Sequence, residues 1–282
     1  MELQALRTFK TVAEEGGVLA ASRTLNTVQS NVTARIKRLE SEIGKPLFYR
    51  KGRGLILSPS GHILLNYAHQ MLQLESQANQ AVQQVGEQTG TLRVGSMETF
   101  AALRLPALLK AVQHVHPTLK LHMATSTSSA LAHQVLNHQL DCAFVGGPLE
   151  HSELVTATVS YEELVLVYAK QSDYHALPLI LFREGCAYRA RALEWQRQQG
   201  NQLNEVMEFG TLDGILGCVS VGLGCTLMPR GVVMQSRYSN DLRIDTIDAP
   251  LAHIPTLLIR HQDAVPLKAF ETLQQASIHS AT

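Results

Sequence analysis

Between Arg23 and Arg53 the chain carries Arg23, Arg35, Lys37, Arg38, Lys45, Arg50, Lys51 and Arg53 against only Glu40 and Glu42, although its overall net charge is zero. Cations at that local density point to phosphate, and so to a nucleic-acid backbone. A second chemistry is spread over Gly95-Ser96-Met97-Glu98-Thr99 and Ser126-Thr127-Ser128-Ser129. These hydroxyl-rich stretches follow apolar runs and open helical ones, which suits hydrogen bonding to a small polar molecule and equally suits helix capping. A third sits in Phe182-Arg183-Glu184-Gly185-Cys186-Ala187-Tyr188-Arg189, where Arg189 lies close enough to Cys186 to acidify a thiol. An inert, packed thiol fits the same residues.

The cations have to be positioned. Val28, Val32, Ile36, Leu39 and Ile43 step by four, four, three and four, which puts them on one buried face of a helix. Gln29, Ser30, Thr33, Ala34, Arg35, Lys37 and Arg38 fall on or beside the other face. Leu19, Ala20, Ala21 and Leu25 form a shorter helix ahead of it, and Leu25-Asn26-Thr27 reads as a tight break. Two helices so joined predict a helix-turn-helix whose second member enters a major groove. A short helical hairpin with a solvated charged face shares the pattern, but not the local charge excess. Leu3, Leu6, Phe9, Val12 and Ala13 predict a supporting helix over residues 2–15. After Gly44-Lys45-Pro46, two short extended pieces flank Lys51-Gly52-Arg53-Gly54, a basic wing with Arg50, Lys51 and Arg53 near its tip.

Phe9, Val12-Ala13-Glu14, Gly16, Ala20-Ala21, Leu25, Gln29-Ser30, Val32-Thr33, Ile36, Leu39-Glu40, Gly44, Leu47-Phe48, Arg50, Arg53 and Leu57-Ser58-Pro59-Ser60-Gly61 resemble the N-terminal signature of LysR-type transcriptional regulators. The likeness is dense over the first sixty residues and looser beyond. It departs at Gly17, where the family usually has Ser, and at Ser58, where it usually has Thr. The first removes a helix N-cap at a cost of roughly a few tenths of a kcal/mol. The resemblance implies a winged helix-turn-helix over residues 1–58 in an otherwise all-α N-terminal part, a dimerising linker helix over 59–88, and an effector-binding domain over 91–282. It further implies promoter DNA, a small-molecule effector, a second copy of the chain (with assembly to a homotetramer) and RNA polymerase as partners.

The residues support a linker helix independently. From Pro59 to Gly86, Leu64, Ala68, Met71, Glu75, Ala78, Val82 and Val85 keep a four-three spacing, a seam of about three heptads on a helix roughly 40 Å long, suited to pairing with a second copy. Glu75 on that seam also admits a helix packed on its own chain. Gly86-Glu87-Gln88-Thr89-Gly90 reads as a hinge.

Beyond it, strands are expected at Thr91–Val94, Leu119–Ala124, Asp141–Val145, Leu164–Ala169, Leu179–Phe182, Val206–Phe209, Cys225–Met228 and Pro255–Ile259, with helices at Arg104–His114, Ser128–His138, Tyr188–Gln199 and Leu212–Val221. That alternation is α/β. The family likeness implies a two-lobed, type 2 periplasmic-binding-protein-like domain. Lobe 1 is expected over about 91–162 and 262–282 and lobe 2 over about 163–261, with crossovers near Ser160–Glu163 and near His261 and a final helix from Pro266. Ligands of such folds sit at strand ends. The expected effector site therefore gathers Ser96, Met97, Glu98, Thr99, Thr127, Ser128, Gly146, Gly147, Cys186, Arg189, Phe209 and Thr211. Glu98 suits an amine and Arg189 a carboxylate, and the sequence does not choose.

The 282 residues are 45% hydrophobic and 17% charged, enough for two or three packed domains and contrary to extensive disorder. No apolar run approaches eighteen residues, and Glu2, Glu14 and Glu15 interrupt the start, so neither a membrane span nor a signal peptide is expected and the cytoplasm is the expected location. Cys142, Cys186, Cys218 and Cys225 show no CxxC pairing and are expected to be free. There is no GxSxG, HExxH or P-loop, and Gly222-Leu223-Gly224 lacks a third glycine. His114/His116 and His133/His138 are poorly spaced for a metal. No enzyme, metal or cofactor is expected, and a pure solute-binding protein would have no use for the basic helix-turn-helix. The alternative that stays open is a redox response through Cys186.

Overall fold

A computed structural model describes residues 1–52, 54–83, 90–199, 206–264 and 267–279. Arg53, Val85, the Gly86–Thr89 part of the expected hinge and Pro266 lie outside the described residues. The chain divides into two compact units.

In the first unit, α1 (Leu3–Glu15), α2 (Val18–Thr24) and α3 (Gln29–Ile43) enclose Leu6, Phe9, Val12, Ala21, Val32, Ile36 and Leu39, all buried. The break between α2 and α3 turns on Asn26 at φ 48, a left-handed conformation that Asn tolerates better than most residues. Val32, Ile36 and Leu39 do form the buried stripe of α3. Val28 and Ile43 at its ends do not: they are 60% and 36% exposed, because the three-helix core is only as long as the middle of α3. The wing is a hairpin of β1 (Phe48–Lys51) and β2 (Gly54–Leu57), with Phe48 opposite Leu57 and Lys51 opposite Gly54. Glu40 ties it to α3 by accepting the Leu47 N–H at 2.8 Å.

Ser58 starts α4 (Pro59–Gln83): its hydroxyl donates to Pro46 O at 2.6 Å and accepts the Gly61 N–H at 2.9 Å. Gly61 is needed there, since a Cβ would lie 2.2 Å from Leu47 O. The expected dimer seam is corrected at three of its positions, Leu64, Ala68 and Glu75. Ala68 is fully buried, Leu64 packs with it against the unit's own core, and Glu75 is paired with Arg7 of α1 at 2.7 Å. The helix uses that face to rest on its own chain. Met71, Ala78 and Val82 of the expected seam stay exposed, and with Ile63, Tyr67 and Leu74 they form the helix's open apolar stripe.

The second unit is α/β. β3 (Thr91–Ser96), α5 (Glu98–Leu103), α6 (Leu105–Val115), β4 (Lys120–Thr125), α7 (Ser128–Leu136), β5 (Cys142–Gly146) and β6 (Leu154–Ala169) follow in order. A 3-10 turn at Tyr174–Ala176 leads to β7 (Leu179–Phe182), α8 (Ala187–Gln198), β8 (Val206–Phe209), α9 (Leu212–Ser220), β9 (Thr226–Pro229) and α10 (Arg230–Gln235). β10 (Leu242–Thr246), α11 (Ala249–Ala252), β11 (His253–His261) and α12 (Lys268–His279) complete it.

Strand β6 builds both lobes. Its residues 154–163 pair with β11, while residues 164–169 pair with β9 and β10. Lobe 1 is thus β4-β3-β5-β11-β6, parallel through β3, β4 and β5 and antiparallel at β11. Lobe 2 holds the rest of β6 with β9 and β10, and parallel β7 and β8 joined through a Leu179–Cys225 bridge. The second crossover is not near His261. All of β11 already pairs with lobe 1, so the chain returns between Thr246 and His253, where α11 lies. Lobe 1 packs Leu92, Val94, Phe100, Leu108, Phe144 and Leu273, and lobe 2 packs Val165, Val167, Ile180, Ile215, Leu216 and Met228.

Candidate functional site

The exposed side of α3 presents Gln29, Ser30, Ala34, Lys37 and Arg38, with Thr33 and Arg35 half-buried at its margins. This is the geometry of an i, i+4 stripe opposite Val32, Ile36 and Leu39. No side chain caps the N-terminus of α3, whose cap position is the apolar Val28, so its first amides stay available to an oxygen outside the helix. Arg50 and Lys51 stand exposed on the wing. Among the described residues Arg35, Lys37, Arg50 and Lys51 enter no ion pair, so their charge is uncompensated. Arg38 differs: it reaches Glu2 at 2.9 Å and Glu42 at 3.2 Å, and part of its charge is spent inside the protein. Glu2 was invisible as a partner because it lies on another helix's approach, 36 positions away.

In the second unit a cavity of about 140 Å³ opens between the lobes, lined by Met97, Glu98, Thr99, Thr125, Ser126, Thr127, Ser128, Phe182, Arg183, Cys186, Tyr188, Phe209 and Gly210. Seven of the expected residues line it: Met97, Glu98, Thr99, Thr127, Ser128, Cys186 and Phe209. The others are placed otherwise. Ser96 is wholly buried and its hydroxyl donates to Met97 O at 2.9 Å. Gly146 is buried beneath Ser128, whose Oγ accepts its N–H at 3.0 Å, and Gly147 is bonded to Pro255 O. Arg189 donates to Phe182 O at 2.9 Å and to Glu208 at 3.0 Å, which holds it on its own lobe. Thr211 caps α9 by accepting the Gly214 N–H at 3.2 Å.

Ser126 and Gly210, from the hydroxyl-rich stretch and from the end of β8, complete the lining together with Arg183, Thr125, Phe182 and Tyr188, which were not among the expected site residues. Arg183 lies in the same short motif as Arg189, in the loop ahead of α8, and loop position was the only signal favouring it. Its guanidinium lies over Gly210, where a Cβ would come within 3.1 Å of Nη2. The lobes also touch through hydrogen bonds. Glu98 accepts the Leu212 N–H at 2.7 Å, Ser129 N–H donates to Gly185 O at 3.1 Å, and the hydroxyls of Thr99 and Tyr188 are 3.1 Å apart.

Cys186 is not the acidified thiol that Arg189 suggested. Burial pushes it above the ordinary cysteine range, outweighing the N–H groups of Arg189 and Tyr188 and the Arg189 guanidinium. Cys142 and Cys225 are pushed up by burial as well, Cys225 to about 11, and all four cysteines are free. Among the described residues no group of three His, Cys, Asp or Glu side chains is placed to hold a metal, and no helix is long and apolar enough to cross a membrane.

Residues 3–62 match the family model for bacterial regulatory helix-turn-helix proteins of the lysR family, and residues 86–280 match the LysR substrate binding domain. The chain is 37% identical to the HTH-type transcriptional regulator GltR of Bacillus subtilis (strain 168), covering 96% of this chain and 95% of that one. It is 36% identical to the HTH-type transcriptional regulator CzcR of Bacillus thuringiensis (strain Al Hakam), over 94% and 89% of the two chains. The crystal structure of CbnR, a LysR family transcriptional regulator, shares the fold with a TM-score of 0.74 at 21% identity, over 100% of both chains. The structure of full-length CbnR with its target DNA gives a TM-score of 0.75, also at 21% identity and over 100% of both chains.

Proposed function

Since this chain belongs to the LysR family and is a DNA-binding transcriptional regulator with a substrate-binding domain, we propose that it binds promoter DNA as a homodimer that assembles to a tetramer, and that a small polar metabolite in the cleft between its lobes sets its activity. Members of the family regulate transcription and are not enzymes. The observation that carries the DNA part is the exposed face of α3, with Ser30, Ala34 and Lys37 open and Arg35, Lys37, Arg50 and Lys51 free of ion pairs among the described residues. Ser30, Thr33 and Arg35 lie at or beside base edges in this assignment, and Lys37, Arg50 and Lys51, with Arg53 and part of Arg38, lie at phosphates. The open stripe Ile63, Tyr67, Met71, Leu74, Ala78 and Val82 supports pairing of α4 with a second copy. The mixed hydroxyl and aromatic lining of the cleft supports a small polar effector. The relatives' DNA-binding role supports a cytoplasmic location for this regulator, with RNA polymerase as a partner in the same reading.

Footprinting of the full-length protein on the DNA upstream of its own gene tests this. Two protected half-sites separated by whole helical turns, about 10.5 base pairs each, are expected. Uniform protection of any duplex would sink the proposal.

A further inference from the structure

We infer that the effector is a small zwitterion, an α-amino acid with an uncharged side chain. This rests on the cleft's being an effector site and names the class of molecule it takes. Two lining residues are of opposite charge type, Glu98 in the first turn of α5 on lobe 1 and Arg183 in the loop before α8 on lobe 2. Among the described residues they are paired neither with each other nor with a third charge. A plain carboxylate would satisfy Arg183 and face Glu98, and a plain amine would do the reverse. Either leaves one of the two, the half-buried Glu98 or the exposed Arg183, without an electrostatic complement. A molecule bearing both charges matches both.

The rest of the lining agrees. Glu98 spends one lone pair on the Leu212 N–H at 2.7 Å, and a carboxylate has further acceptor sites for an ammonium. Arg183 points its guanidinium across Gly210, whose missing side chain leaves that approach open. The rival cation, Arg189, is already committed to Phe182 O and Glu208. Phe182 and Phe209 offer an apolar wall for a side chain. A cavity of about 140 Å³ has room for a small amino acid.

The experiment is calorimetric titration of the full-length protein with glycine, L-alanine, L-serine, L-valine and L-methionine, and with the N-acetyl and carboxamide form of each. At least one free amino acid is expected to bind, with each blocked form weaker by about tenfold or more, as loss of a charge-assisted contact implies. Glu98→Gln retains the acceptor for Leu212 and removes only the charge, and Arg183→Gln removes the cation together with its guanidinium donors. Each is expected to weaken the free amino acid by about tenfold. Equal binding of free and blocked forms, or binding of acetate, lactate or ethylamine in preference to every amino acid, would overturn the zwitterion. In that event loss of binding in Ser126→Trp, which fills the cavity, leaves the effector site standing while its ligand class falls. If no amino acid, carboxylate, amine or sugar binds at all, both fall together.

Discussion

The carboxylate of Glu98, at the head of α5 in lobe 1, accepts the backbone N–H of Leu212, the first residue of α9 in lobe 2, at 2.7 Å. One side chain thereby caps a helix on the opposite lobe, and it does so from the wall of the cleft. An effector that engages Glu98 acts directly on a bond between lobes. Differential affinity for two lobe arrangements is the only way a ligand shifts their balance, and this contact is where such a difference can arise. Typical couplings of about 1 to 3 kcal/mol follow from contacts of this size.

Removing that cap should be measurable without any ligand. Glu98→Ala is expected to lower the stability of the second unit by about 1 kcal/mol, the usual value of a lost N-cap, whereas Glu98→Gln should stay near wild type. Thermal unfolding compares the two. Equal loss in both variants would mean that the charge, and not the hydrogen bond, holds α9.

Assembly separates the two faces of α4. Leu74→Lys places a charge on the open stripe and should yield folded monomers in analytical ultracentrifugation, with weaker DNA binding because each protomer then holds one half-site. Ala68→Leu overfills the protein's own core and should cost about 1–3 kcal/mol in unfolding while leaving the folded fraction dimeric. An unchanged dimer for Leu74→Lys would remove this stripe from the account.

Gly61 and Leu47 make a tight junction between α4 and the wing. A methyl group on Gly61 would meet Leu47 O at 2.2 Å, and Leu47 is also gripped by Glu40 through its N–H. Gly61→Ala is therefore expected to cost about 1–3 kcal/mol and to displace the wing. Urea unfolding reads the first effect, and a wild-type midpoint would contradict it.

The raised Cys186 thiol sets a pH dependence. Because burial disfavours the thiolate, its alkylation by iodoacetamide should still be climbing with pH beyond the ordinary cysteine value of about 8.5. Its rate at neutral pH should be below that of a free thiol. A plateau reached near pH 7 would revive the redox alternative, as would loss of DNA binding on mild peroxide treatment that Cys186→Ser prevents.

Elements with one continuous environment could be read from the chain alone. Leu164–Ala169 is buried along its whole length and reads as an apolar run, but Leu154–Glu163 of the same strand is buried only at Leu154, Val159 and Ser160 and carries Thr, Ser and Glu between them, so it shows neither an apolar run nor an alternation. Strand β10 is an edge, paired only with β6, and carries Arg243 and Asp245 in its middle, which leaves no run to detect. The cleft was half legible for a similar reason. A Ser at a strand end and a Ser at a helix start look alike in sequence, yet Ser96 is buried at the end of an interior strand with its hydroxyl on Met97 O, and Ser128 lines the cavity. Arg183 and Arg189 are six residues apart, and only the placement of Glu208 decides which one is left for a ligand. On α4, the four-three spacing of Leu64, Ala68 and Met71 could not say which stripe rests on α1 and which is open.

Fluorescence anisotropy of the full-length protein on duplex from its own upstream region, against a shuffled duplex, over a range of salt concentrations tests the central claim most directly. The native site should be preferred, and log affinity should fall linearly with log salt. Lys37→Ala should weaken both duplexes about equally and reduce the slope by about one, and Thr33→Ala should change the preference with little change in slope. Equal affinity for both duplexes with no salt slope would contradict a regulator that reads promoter DNA through α3 and its wing.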